Sequence, residues 1–98
     1  MSDTRSIEVK LFATLRMKLG VASVTLTPES AFTVRDMIRM LEHATGAEFY
    51  HDLVDTNGDV LRSGTIILLD GTNIHHMQGL DTPVNASQVA VFPPAGGG

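Results

Sequence analysis

The chain closes on QVAVFPPAGGG, Gln88 to Gly98. Its first half alternates, with Val89 and Val91 on one side and Gln88, Ala90 and Phe92 on the other, which is the pattern of a strand with one face on a core. Pro93 and Pro94 follow. Proline lacks an amide donor and fixes φ, so the pair ends the strand and projects what comes next away from the sheet edge. The three terminal glycines have the most conformational freedom to lose on ordering and no side chain to bury. Such an end either is inert or is itself the working part of the molecule.

A final strand of this kind needs a neighbour, and SIEVKLFA, Ser6 to Ala13, supplies the same alternation. Ile7, Val9 and Leu11 face one way and Glu8, Lys10 and Phe12 the other, which makes Phe12 the odd member of a polar face. A short segment containing Leu15 and Leu19 ends at Gly20. SVTLT then places Val24 and Leu26 inward, so the first two strands read as a hairpin with a broad connection. FTVRDMIRMLEHATG, Phe32 to Gly46, sets Val34, Met37, Ile38 and Leu41 at helical spacing. Thr33 is its expected N-cap, Asp36 completes an approximate capping box, and Gly46 is the stop, giving a helix from about Val34 to Ala44.

Periodicity is lower from Glu48 to Gly64, where Asn57-Gly58 between Leu53-Val54 and Val60-Leu61 predicts a tight hairpin. TIILLDG reads as a buried strand ending in the Asp70-Gly71 turn, and NIHHMQGLDTPV as loop or short-strand material with a turn at Asp81 and Pro83. The expected fold class is therefore α+β, with one main helix across one face of a mixed sheet. A single domain is expected over residues 1–98, with a flexible N-terminus at 1–5 and an extended tail at 93–98. If the first and last strands are neighbours, Phe12 and Phe92 form an apolar patch on the uncovered face beside the tail, with Ile74 or Met77 joining it.

At 98 residues the chain is long enough for one core and too short for two. Hydrophobic residues are 43% and charged residues 18%, a globular composition, and no apolar run approaches the ~20 residues that span a bilayer. Net charge is -4, from 11 acidic and 7 basic residues without a basic cluster, which argues against nucleic-acid or membrane partners. Cysteine is absent, so disulfides and thiol nucleophiles are excluded. The opening MSDTRSIEVK has no apolar run of the secretory kind, and the cytoplasm is the expected compartment. His43, His51, His75 and His76 read as solvated or packed side chains, and Asp52, Asp55 and Asp59 lack the calcium-loop pattern, so no metal site is expected.

The opening VKLFATLR, the helix TVRDMIRMLE, the late GLDTPV and above all VAVFPPAGGG resemble the β-grasp sulfur carriers. These are the small subunit of molybdopterin synthase, the thiamine sulfur carrier and the archaeal small ubiquitin-like modifiers. The resemblance runs from Ile7 to Gly98; Gly96 departs from it, standing where the family often has a side chain. It implies a β-grasp, ubiquitin-like fold with a flexible Gly-Gly tail and no bound cofactor. By the same resemblance, a partner adenylating enzyme uses ATP and Mg to activate the carboxylate of Gly98. Gly96 and Gly97 thread its narrow groove, and Phe12, Phe92, Pro93 and Pro94 help to dock the domain outside it, with Ile74 and Met77. A sulfur donor such as a cysteine desulfurase or rhodanese then gives a thiocarboxylate. Its sulfur passes to the molybdopterin synthase large subunit or to another acceptor, molybdenum or tungsten cofactor synthesis being the expected pathway. On this reading the chain is a covalent cosubstrate without a catalytic site of its own. One alternative is a protein modifier that forms isopeptide bonds to target-protein lysines. Another is a ubiquitin-like interaction domain that is not activated at all.

Overall fold

A computed structural model describes residues 6–94. The expected flexible stretch at 1–5 and the tail residues Gly96, Gly97 and Gly98 lie outside the described residues. Strand β1 (Ile7–Leu11) lies between β2 (Ser23–Leu26) and the last strand, β7 (Gln88–Phe92). β1 and β7 run parallel, with Val9 opposite Val89 and Leu11 opposite Val91. A parallel pair needs a crossover connection, and the rest of the chain provides it. β5 (Ile66–Leu69) pairs antiparallel with β7, and β6 (Thr72–Asn73) forms the far edge, giving the order β2-β1-β7-β5-β6. A separate small hairpin joins β3 (Val54–Asp55) to β4 (Val60–Leu61), but through the four residues 56–59 and with the positive φ at Asp59, a wider connection than the tight Asn57-Gly58 turn expected.

The main helix, α2, runs Val34–Thr45 with the caps that its sequence predicts. The amide of Asp36 donates to Thr33 Oγ1 at 3.3 Å while the Thr33 amide donates to Asp36 Oδ2 at 3.0 Å, so two orphan donors of the first turn are satisfied. Gly46 takes the left-handed φ of 72° that closes the helix without a Cβ penalty. Val34, Met37, Ile38 and Leu41 are buried in one cluster with Ile7, Val9, Leu11, Ile67, Val89 and Val91. This is the mixed sheet under a single long helix that the β-grasp requires. No helix among the described residues is long and apolar enough to cross a membrane.

Two helical pieces were not expected. The connection after β1 is helix α1 (Ala13–Leu19), which buries Leu15 and carries Arg16 and Lys18 in its last turn, where cations oppose the negative end of the peptide dipoles. At seven residues, with Leu15 alone buried, it is too short to show a period. The second piece, α3 (Tyr50–Leu53), opens the stretch of low periodicity and inserts Phe49, Tyr50 and Leu53 into the core. Its N-terminus is held by Glu42 near the end of α2, whose Oε2 accepts the amides of Phe49 and Tyr50 at 2.8 Å each.

Burial alone would raise the pKa of the Glu42 carboxyl. The amides of Tyr50 and Phe49, with the Arg39 guanidinium, outweigh it and hold the group below the usual carboxylate range. The side chain is only 13% exposed, so little water competes for it. Because the folded state binds this proton less readily than the unfolded chain, the stabilisation is complete above the unfolded value of about 4.3. It is lost as pH falls through the lower folded value. Glu42→Gln should remove that part of the acid limb and cost about 1–3 kcal/mol at neutral pH, since two buried amides lose a charged acceptor. Urea unfolding between pH 7 and pH 3 measures both; parallel curves for the two proteins would overturn the assignment.

Candidate functional site

The site is built where β1 and β7 end together. The amide of Phe12 donates to the Val91 carbonyl at 3.2 Å, extending the parallel ladder by one residue. Ala13 then takes a positive φ of 54°, which turns the chain sharply into α1 and leaves the Phe12 ring on the outer side of the sheet. Phe92 reaches the same side by strand parity. Their rings stack with centroids 4.3 Å apart and planes within 9°. Both are half-buried, so the pair shields itself in part while presenting an apolar surface.

Two further residues join that surface. The β5–β7 register puts Ile66 opposite Phe92 and Leu68 opposite Ala90. Ile66 is 40% exposed and Leu68 half-buried, so the outer face carries a continuous apolar band from β5 across β7 to Phe12. Lys10, exposed and level with Ala90, borders it. Neither Ile66 nor Leu68 was predicted. In the run Ile66-Ile67-Leu68-Leu69 every residue is apolar, so alternation cannot show which two face outward, and only the pairing to β7 decides it.

Ile74 and Met77 do not belong to this surface, contrary to expectation. Ile74 is fully buried, at the head of a short 3-10 turn (Ile74–His76) whose start is fixed by Asn73 Oδ1 accepting the His75 amide. Met77 is 48% exposed but lines a depression with Leu69 and Pro83. Leu69 lies opposite Val89, three residues from the Ile66–Phe92 pair, so about 10 Å of strand separates Met77's surroundings from the rings. Pro93 also needs correction: it is buried, so its ring serves the domain and not a docking face. Pro94 is half-buried.

Behind the prolines, on the α1 side, opens a cleft of about 490 Å³. Leu15 and Lys18 of α1, Asp52 of α3, Arg62 just after β4, and Pro93 and Pro94 are among its walls. Lys18 Nζ lies 2.9 Å from Asp52 Oδ2 and donates to the Glu48 carbonyl at 3.0 Å. The Arg62 backbone amide donates to the Leu53 carbonyl at 2.8 Å, and its Nε to the His51 carbonyl at 2.6 Å. These two bonds fix a guanidinium in the wall.

The strands are also held in register at their other end. Asp70, with φ of 48°, and Gly71, with φ of 89°, form the two-residue turn between β5 and β6. The Asp70 carboxylate accepts the amides of Ser87 and Gln88, the latter at 3.0 Å, and so anchors the start of β7. Arg35 of α2 ties the β3–β4 hairpin to the rest through Asp59, the Tyr50 hydroxyl at 3.2 Å, and Asp81 at 3.2 Å. Asp59 first, then Tyr50, raise its guanidinium pKa above the ordinary range. Among the described residues no cluster of three His, Cys, Asp or Glu side chains lies together to hold a metal ion.

The ThiS family model matches residues 9–98 of the chain. Small archaeal modifier protein 3 of Haloferax volcanii is 32% identical over 98 residues, covering 94% of this chain and 98% of that protein. The solution structure of small archaeal modifier protein 1 from Methanosarcina acetivorans has a TM-score of 0.70 at 27% identity, covering 97% of this chain and 98% of that one. Urm1 from Trypanosoma brucei reaches a TM-score of 0.73 with 100% of both chains covered, and at 22% identity that likeness concerns the fold.

Proposed function

The chain belongs to the ThiS family of ubiquitin-like carriers and modifiers, and from that membership we propose that it is a sulfur carrier acting through the carboxylate of Gly98. The observation that carries the reading is the end of β7. An apolar band and a pair of stacked phenylalanines stand where the strand stops at Pro93-Pro94, and Ala95-Gly96-Gly97-Gly98 follow. From Pro93 onward the chain reaches at most ~20 Å when extended, enough to enter a neighbour's active site while the band stays docked outside.

A free carboxylate is a poor electrophile because its charge is delocalised. At the partner adenylating enzyme a Gly98 oxygen attacks the α-phosphorus of ATP, with Mg balancing the phosphate charge, and pyrophosphate leaves. The outer sulfur of the donor's persulfide attacks the acyl carbon of the mixed anhydride and AMP leaves; a thiol reductant then cleaves the resulting acyl disulfide, forming a disulfide with the donor's sulfur and releasing the C-terminal thiocarboxylate. Gly96 and Gly97 let the partner's backbone close on the tail without side-chain clashes. The acceptor we favour is the large subunit of a molybdopterin synthase, in the cytoplasm.

A second reading is favoured by the modifier name of the Haloferax relative. There a lysine amine of a target protein attacks the same acyl-adenylate, AMP leaves, and an isopeptide bond forms. Both readings require activation at Gly98; an unactivated interaction domain does not. The test is the intact mass of the C-terminal peptide of protein isolated from cells. Replacement of one oxygen by sulfur is the expected result, and the further gain of one alkyl group on brief alkylation identifies the thiocarboxylate, because the chain has no cysteine to take it up. A tail found only as free carboxylate, in cells grown where the sulfur acceptor is needed, would overturn the carrier reading.

A further inference from the structure

We propose that the cleft between α1, α3 and Arg62 is a resting dock for the chain's own last four residues, Ala95 to Gly98, with the terminal carboxylate received by Arg62. The proposal rests on the reading of Gly98 as the reacting end of the chain. Position argues for this occupant. Pro93 and Pro94 are themselves walls of the cleft, so the chain stands at its mouth at the last described residue. Four more residues reach about 13–14 Å, enough to cross it.

Size and shape argue the same way. About 490 Å³ lies within the range of roughly 300–1,000 Å³ in which small ligands are held. Ala95-Gly96-Gly97-Gly98 brings one methyl group in all, so the strip can lie against Leu15 and Pro94 without displacing either.

Charge selects the end of the strip. Lys18 is already satisfied by Asp52 and the Glu48 carbonyl. Arg62 is held by its own amide and by Nε, yet it is ion-paired with no carboxylate among the described residues. A guanidinium fixed in a wall with its terminal N–H groups left over suits the two oxygens of a carboxylate, and Gly98 supplies one within reach. The docked tail is the resting state, which an activating partner must displace. Its apparent affinity for the partner is lowered by the docked fraction.

Nuclear magnetic resonance of the isotopically labelled full chain, without ATP or partner, tests this apart from the carrier reading. In the wild type the amides of Gly97 and Gly98 should depart from random-coil shifts and show restricted motion by heteronuclear NOE. Arg62→Gln should move both to random-coil values, Arg62→Lys should restore part of the effect, and Arg16→Gln, removing a cation of α1 outside the cleft wall, should change neither. Raising the salt to 1 M, where charges are screened within about 3 Å, should mimic Arg62→Gln. Unchanged amide shifts of Leu53 and Val54 would show that Arg62→Gln leaves the wall intact. Random-coil glycines in the wild type, identical to those of Arg62→Gln, would overturn the proposal. So would cleft resonances that respond only to added adenylating enzyme, since the occupant is then the partner's. Neither result touches activation at Gly98, which stands or falls on the mass of the tail.

Discussion

Deleting Gly97 and Gly98, or adding one residue after Gly98, should abolish ATP–pyrophosphate exchange with the cognate adenylating enzyme and leave the thermal midpoint almost unmoved. Both halves follow from where the energy of the molecule lies. Among the described residues the buried apolar side chains run from Ile7 to Pro93, and the strands and helices lie between Ile7 and Phe92. Changes outside such features usually stay within about 0.5 kcal/mol, and 1 kcal/mol moves the midpoint of a domain this size by roughly 4–8 °C, so a shift under about 4 °C is expected. Exchange, by contrast, on the proposed reading requires a carboxylate at one place in the partner's groove. Truncation withdraws it by two residues and extension replaces it with an amide. Gly97→Val keeps the carboxylate but adds a branched side chain in the groove, and should slow exchange through misplacement of the reacting oxygen with less effect on binding. Thermal unfolding and pyrophosphate exchange on the same preparations decide it. Full exchange by the chain lacking Gly97 and Gly98 would remove the carrier and modifier readings together.

What the sequence discloses and what it hides divide along physical lines. Helix α2 was legible because its information is local: Thr33 and Asp36 cap each other, Gly46 stops it, and the apolar spacing lies within one element. The faces of β1 and β7 were legible because each alternates, and so was the placing of Phe12 and Phe92 on one side. Their contact depends on the strands being neighbours, which no local pattern states. The outer members of β5 were hidden by an apolar run, and Ile74 was misplaced because a residue in a loop has no period from which to read its direction. Glu42 was passed over for the same kind of reason. On its own helix it is an ordinary charged residue near the C-terminus, where the peptide dipole disfavours it. Its value appears only when α3 folds back and presents the amides of Phe49 and Tyr50. Arg62 likewise gains meaning only beside Pro94, which lies far from it in the chain.

Phe92→Glu should weaken binding to the adenylating enzyme at least 30-fold while costing the free protein much less. The rings of Phe12 and Phe92 are half-buried and stacked on each other, so the folded monomer already draws about 0.5–1.5 kcal/mol from the pair beyond area burial. The remaining ring surface, with Ile66, is left for a partner to cover. Aromatic residues central to such a contact commonly contribute 2 kcal/mol or more, and 1.4 kcal/mol is tenfold in affinity. A carboxylate at position 92 removes the contact and places an unpaired charge under the partner. Thr25→Glu is the control, because it adds the same charge to the same outer face, beside Glu8 and away from the apolar band. If the two variants lose affinity equally, the effect is general repulsion and the band is not the docking surface. The alanine variants refine the test: since the rings form one unit, Phe12→Ala and Phe92→Ala together should cost less than the sum of the two alone. Calorimetric titration at fixed ionic strength gives the affinities and urea unfolding the stabilities. Additive losses at the two positions would mean that the partner contacts each ring separately and that the stack is not its target.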